Sequence, residues 1–243
     1  MNPNNDKYDK IEDISDSNNE EQQERETAVS QAVIKRLPRY FRYLRELIRM
    51  GKARVSSAEL SRMMNVTASQ IRQDLNCFGG FGQQGYGYNV NYLYAKICEI
   101  LGVGSGFSAA VIGAGNLGSA LVRSPMFEKR GVDVVAMFDV APDIIGKRIG
   151  NILVYTMDDM ENVIADLDVD IAILTLPKEY ATDAARRLEN TDIRGVWNFT
   201  GKELDLNDKG IVVENVHIGD SLMTLCYEIA KNESNKKNEK NGN

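Results

Sequence analysis

From Ala32 to Met50, apolar side chains recur at Val33, Ile34, Leu37, Tyr40, Phe41, Leu44, Leu47 and Ile48, one face of an α-helix, with arginines filling the other. Pro38 suits a first helical turn, so the spacing predicts a short helix and then a second one beginning there. Ser56 with Glu59, and Thr67 with Gln70, have the spacing of capping boxes. They predict a short helix through Met64, a turn at Asn65 and Val66, and a further helix. On that last helix Ile71 and Leu75 face inward, while Ser69, Gln70, Arg72 and Gln73 project outward, side chains suited to phosphates and base edges in a major groove. Residues 78–88 then set five glycines among aromatics and amides, the pattern of a tight two-stranded wing.

Beyond residue 90 the pattern changes to buried strands alternating with helices. Phe107 to Ile112 reads as a buried strand that runs into Gly113-Ala114-Gly115-Asn116-Leu117-Gly118 and a helix through about Leu121. Strand, Gly-x-Gly-x-x-Gly and helix form the dinucleotide fingerprint: the first two glycines let backbone amides approach a pyrophosphate, and the third seats the helix on the sheet. A second apolar run, Val132 to Phe138, ends in Asp139, twenty-one residues beyond Gly118. A carboxylate there accepts from a ribose diol and repels a 2′-phosphate, which favours NAD(H) over NADP(H). The alternation continues with a helix near 157–167, a strand from Ile171 to Leu176 ending at Pro177, a helix 180–188, a strand 196–199 and a last strand near 211–213. Thr175-Leu176-Pro177 and Asn198-Phe199 fall at strand ends, where such sheets carry ligands, and Val140 follows the acid. Residues 219–231 end the pattern with an amphipathic helix that either closes its own sheet or crosses to a partner, a position suited to a swapped homodimer.

Charge divides the chain along the same lines. Residues 1–28 hold three Lys or Arg against nine Asp or Glu, residues 29–90 ten against three, and residues 91–243 sixteen against twenty-three. A segment of net +7 inside a chain of net −6 is the footprint of a module that docks on phosphates. The first 28 residues and residues 232–243 have too few apolar side chains to offset ordering entropy and are expected to be disordered tails. No apolar run is long enough for a membrane span, and the acidic start lacks the features of a signal peptide, so a cytoplasmic protein is expected. Cys77, Cys98 and Cys226 are odd in number and His217 is the sole histidine, which argues against a disulfide framework or a metal site.

The expected architecture is therefore α/β: a winged helix-turn-helix domain at 29–90, a Rossmann-type, doubly wound parallel sheet at 91–218, and a dimerisation helix at 219–231. Two alternatives stay open on the residues. The sheet can hold another nucleotide such as coenzyme A, or the chain can be a nicotinamide-dependent dehydrogenase with a DNA module. The second is disfavoured, because no Tyr-x-x-x-Lys pair occurs in the second module and no catalytic residue presents itself.

Taken together, residues 32–40, Val66-Thr67-Ala68-Ser69-Gln70-Ile71-Arg72-Gln73-Asp74-Leu75, Phe78-Gly79-Gly80-Phe81-Gly82, the glycine motif, Phe138-Asp139-Val140 and Val213-Glu214-Asn215-Val216 resemble the Rex family of bacterial redox-sensing transcriptional repressors. The resemblance covers about residues 29–230. It implies a homodimer that holds palindromic operator DNA when NAD⁺ prevails and releases it when NADH binds. The DNA contacts expected are Arg54, Ser69, Gln70, Arg72, Gln73, Gln84 and Tyr86, with Arg42, His217 and Ile218 at an interdomain or dimer hinge. The chain departs from the family at Ser124, where Tyr is usual, at His217, where Asp is usual, and at Asn198-Phe199-Thr200-Gly201, where Asn-Phe-Ala-Pro is usual. These departures are expected around the nicotinamide end of the site.

Overall fold

Two separate apolar patterns produce two separate compact units, the first with one core and the second with a core on each face of its sheet. In the computed structural model, which describes residues 30–79, 82–83 and 86–241, the chain divides into one unit through Val103 and another from Gly104. The boundary lies thirteen residues past the expected 90/91, for a packing reason. The helix at Val90–Ile100 buries Val90, Leu93 and Ile97 in the first core, so it belongs to the first unit.

The first unit runs α1 (Gln31–Ile34), α2 (Leu37–Arg49), β1 (Arg54–Val55), α3 (Ser57–Met64), α4 (Ala68–Asn76), β2 (Gly82–Gln83), β3 (Gly87–Asn89) and α5 (Val90–Ile100). Pro38 sits in the first turn of α2, where its missing N–H costs nothing. The Ser56 hydroxyl accepts from the Glu59 amide and the Thr67 hydroxyl from the Gln70 amide, each at 3.1 Å, so both predicted caps form. Asn65, at φ 51°, turns the chain between α3 and α4. The wing is three-stranded, in the order β1-β3-β2, because Arg54 and Val55 pair with Asn89 and Tyr88. Gly87 makes this possible: a Cβ on it would lie 2.7 Å from the Val55 carbonyl oxygen.

A buried carboxylate holds this unit together. Asp74 on α4 has no exposed surface, and it accepts from Arg36 Nε and Nη2 at 2.8 and 2.6 Å, from Tyr40 Oη at 2.9 Å and from Gln70 Nε2 at 2.8 Å. Burial alone would raise its pKa, but the hydrogen bonds from Arg36, Gln70 and Tyr40 outweigh it and hold the carboxyl below its ordinary range. Burial and the same contact push the Tyr40 phenol upward.

The second unit contains β4 (Phe107–Ile112), α6 (Asn116–Val122), β5 (Val132–Asp139), β6 (Arg148–Ile149), β7 (Ile152–Thr156), α7 (Met160–Asp166), β8 (Ile171–Leu174), α8 (Ala181–Leu188), β9 (Gly195–Asn198), β10 (Val212–Asn215) and α9 (Ile218–Asn241). Its sheet has the order β10-β9-β8-β4-β5-β7-β6, parallel throughout except for β6. Without β6 this is the doubly wound dinucleotide order, whose crevice opens beyond the C-terminal ends of the central strands. Met160 and Ile164 of α7 and Ala181, Ala184, Ala185 and Leu188 of α8 bury one face. Leu121, Val122 and Phe127 pack against the other. The segment 232–241, expected as a disordered tail, continues α9 as helix; the expected tail at 1–28 lies outside the described residues. No helix among the described residues is long and apolar enough to cross a membrane.

Because Asp74 has a lowered folded pKa, its contribution to stability is complete above the ordinary carboxylate range and is lost as pH falls through the lowered value. Asp74→Asn is expected to cost about 2 to 3 kcal/mol at pH 7. Chemical denaturation between pH 3 and 7 should show a flatter acid limb for the variant than for the native chain.

Candidate nucleotide cradle and nucleic-acid surface

The glycine turn is shaped by contacts that leave no room for side chains. Gly113 has φ +104°, and a Cβ there would meet the Thr175 backbone at 3.0 Å. A Cβ on Gly118 would lie 2.1 Å from the Gly113 carbonyl oxygen. Gly115 differs: it caps α6 at φ −68°, and a Cβ there would meet nothing within 4 Å. The fold itself does not need glycine at 115, whereas the approach of a ligand to the turn does.

Two side chains brace this turn. The Asp139 carboxylate accepts from the Ala114 amide through Oδ2 at 2.6 Å, and from the Val140 and Ala141 amides through Oδ1 at 2.8 and 2.9 Å. Three of its four lone-pair positions are thereby used, and one on Oδ2 remains for a hydroxyl. Thr175, expected to border the ligand, instead donates Oγ1 to the Gly113 carbonyl at 2.7 Å. It ties the end of β8 to the turn. Gly113, Ala114, Gly115, Asn116, Leu117, Gly118, Asp139 and Val140 therefore come together on one sheet edge, with Leu176 and Pro177 following β8 there.

Asn198 is placed differently from expectation. It is 1% exposed, and its Nδ2 donates to the Lys202 carbonyl at 2.6 Å and to Asn215 Oδ1 at 2.7 Å. Its Oδ1 accepts from the Thr200 amide and hydroxyl at 3.0 and 2.7 Å. The side chain is committed to joining β9, β10 and the loop after β9, and its amide has no hydrogen-bonding position left for a ligand. The Phe199 ring packs edgewise on Trp197, with centroids 4.6 Å apart.

The family departures do not share one place. Thr200 and His217 follow the C-terminal ends of β9 and β10, on the edge that carries the glycine turn. Ser124 lies past the far end of α6 and lines a hollow of about 630 Å³ with Val132, Asp133 and Asn151, at the N-terminal ends of β5 and β7. The ring of His217 pairs through Nε2 with Glu203 Oε1 at 2.7 Å, and Ile218, exposed, begins α9. Arg42 stands exposed on α2 with its guanidinium 5.3 Å from the centroid of the Tyr43 ring.

In the first unit Ser69, Arg72 and Gln73 are exposed on α4, and Arg72 Nη1 donates to Ser57 Oγ at 3.2 Å. Gln70, expected to point outward, turns its amide to Asp74, which satisfies the buried carboxylate. Arg54 reaches the Tyr86 carbonyl at 3.3 Å, and the Tyr86 ring is 70% exposed beside it. Gln84 lies outside the described residues.

A helix-turn-helix with a wing in one unit and a dinucleotide-type crevice in the other define a regulator of the winged-helix and Rossmann class. Residues 28–76 match the family described as "Putative DNA-binding protein N-terminus", and residues 106–201 the one described as "CoA binding domain". A relative from Caldicellulosiruptor saccharolyticus, named redox-sensing transcriptional repressor Rex, is 48% identical over 201 residues, 83% of this chain and 91% of its own. A relative of the same name from Clostridium beijerinckii is 47% identical over 206 residues, 85% of this chain and 97% of its own. Among solved structures, the Rex-family repressor RSP in complex with β-NAD⁺ and operator DNA is similar at 47% identity and a TM-score of 0.78, over 87% of this chain and 97% of that one. RSP in complex with β-NADH is similar at 45% identity and 0.79, over 87% and 99%. The chain belongs to the Rex family of redox-sensing transcriptional repressors.

Since an alanine methyl at 118 would overlap backbone, Gly118→Ala is expected to destabilise the second unit by about 3 kcal/mol. Gly115→Ala, with open space and an ordinary φ, should leave stability within about 0.5 kcal/mol of the native chain. Thermal unfolding of the two variants checks the contrast.

Proposed function

We propose that this chain is a transcriptional repressor that binds palindromic operator DNA as a homodimer and loosens its hold when NADH replaces NAD⁺. The observation that carries this reading is the open position at Gly115, ringed by braced backbone, in a chain whose other unit presents Arg72 on an exposed helix. Relatives of close to half identity have been solved with NAD⁺ and operator DNA and with NADH. The residues present fit a dinucleotide. The amides at the start of α6 lie at the turn for a pyrophosphate, and Asp139 keeps one lone pair for a ribose hydroxyl. A carboxylate there disfavours a 2′-phosphate, which sets NADP(H) aside. A repressor acting on chromosomal DNA works in the cytoplasm.

The dimer is assigned to α9. Leu222, Met223, Leu225, Tyr227 and Ile229 are each more than half exposed on this helix, too much apolar surface to leave in water. A second copy of the chain supplies the symmetric partner that a palindrome requires. Nucleotide control then acts by a population shift between two dimer states. Moving the ratio from about 1:99 to 99:1 takes about 5.5 kcal/mol of differential affinity, or roughly 2.7 kcal/mol at each of two sites. Coenzyme A is the second reading, favoured by the description of the family that residues 106–201 match.

A gel shift on a palindromic operator without nucleotide, with NAD⁺, with NADH and with coenzyme A tests both readings. NADH should release the operator and NAD⁺ should not; release by coenzyme A alone would replace the first reading with the second. Gly115→Ala should weaken NADH binding at least about tenfold, read by nucleotide fluorescence, while keeping operator affinity in the absence of nucleotide. Arg72→Ala should weaken operator binding by about 1 to 3 kcal/mol and leave NADH affinity unchanged.

A further inference from the structure

The DNA-facing unit carries more positive charge than its own acids neutralise. Residues 29–90 hold ten Lys or Arg and three Asp or Glu. All three acids are already paired: Asp74 with Arg36 at 2.6 Å, Glu46 with Arg49 at 3.8 Å, and Glu59 with Lys52. Ten less three leaves seven cations with no acidic partner among the described residues, and Arg42, Arg54, Arg62 and Arg72 are exposed. Arg54 stands beside the wing on β1, Arg62 on α3 and Arg72 on α4, the elements that would meet a duplex.

The same chain carries the complement. Residues 1–28 hold nine acids against three bases, a net −6 opposite the +7 of residues 29–90. The point of attachment favours contact. Ser30 caps α1 and lies six residues before Arg36, so the segment is joined directly to the unit that carries the cations. A 28-residue segment spans up to about 90 Å when extended, several times the length of any helix in this unit. Tethering at this distance gives an effective concentration on the order of millimolar. The shared family body begins at residue 28, so these acids precede the part of the chain that matches it.

We propose that the acidic segment 1–28 docks on the cationic surface formed by Arg54, Arg62 and Arg72 of its own winged helix and competes there with DNA. The proposal rests on the DNA-binding reading above. The segment lowers affinity for operator and for unrelated duplex by a common factor. Because the intramolecular contact is itself electrostatic, it weakens as salt rises, and the native chain loses DNA affinity less steeply with salt than a chain without the contact.

The test uses the full chain and a full-length variant in which all nine carboxylates of 1–28 are replaced by amides, Glu20→Gln, Glu21→Gln, Glu24→Gln and Glu26→Gln among them. Fluorescence anisotropy with operator and with random duplex is recorded from about 50 to 300 mM salt. The variant should bind both duplexes roughly tenfold tighter at the low end, with the gap closing below about twofold at the high end. A labelled peptide of residues 1–28 should bind the variant and be displaced by unlabelled DNA. Equal affinities and equal salt slopes overturn the proposal. Tighter DNA binding by a variant that fails to bind the peptide also overturns it, since that outcome is bulk repulsion between the segment and DNA. If neither chain binds any duplex, the DNA-binding reading falls first and takes the competition with it.

Discussion

At Gly113 and Gly118, where the end of β4 meets the first turns of α6, there is no space for a methyl group. The Gly113 carbonyl stands where a Cβ of Gly118 would be, and Gly113 itself holds a backbone angle that other residues rarely adopt. This close approach brings the first turn of α6 to the edge of the sheet with its amides outward. Thr175 and Asp139 lock it from two neighbouring strands, one through the Gly113 carbonyl and one through the Ala114 amide. The crevice is therefore preformed by the fold, and a ligand need not order the loop on binding.

The DNA-facing unit is built around a comparable device. Asp74 gathers Arg36 from the α1–α2 junction, Tyr40 from α2 and Gln70 from its own helix. With the inner face of α4 fixed in this way, Ser69, Arg72 and Gln73 are presented on the outer one. One carboxylate in each unit thus converts local sequence into a defined surface: Asp139 for the crevice and Asp74 for the recognition helix. The buried charge of Asp74 is tolerable because four hydrogen bonds from three side chains replace its lost water.

Much of this was legible in the sequence because its signals are local. The capping residues at Ser56 and Thr67, the glycine spacing at 113–118 and the acid at 139 each encode geometry within a few residues or one βαβ unit. What escaped depends on tertiary partners. Asp74 looks like any polar helix residue until Arg36, 38 positions away, closes on it, and Gln70 is drawn inward for the same reason. Thr175 reads as a strand-end ligand residue, yet its hydroxyl is spent on Gly113, 62 positions earlier. Asn198 is likewise absorbed by Asn215 on the neighbouring strand. The edge strand β6 and its neighbour β7 were not anticipated, since β6 has only two residues and β7 is held in the sheet by pairing with β5 and β6. α5 carried no sign in its own periodicity of which core would receive it.

On the proposed reading, nucleotide and operator act on one equilibrium from two units, and linkage makes their influence mutual. NADH affinity measured by fluorescence with and without saturating operator tests this directly. The account predicts that operator weakens NADH binding by the same factor by which NADH weakens operator binding. An NADH affinity indifferent to operator would contradict it.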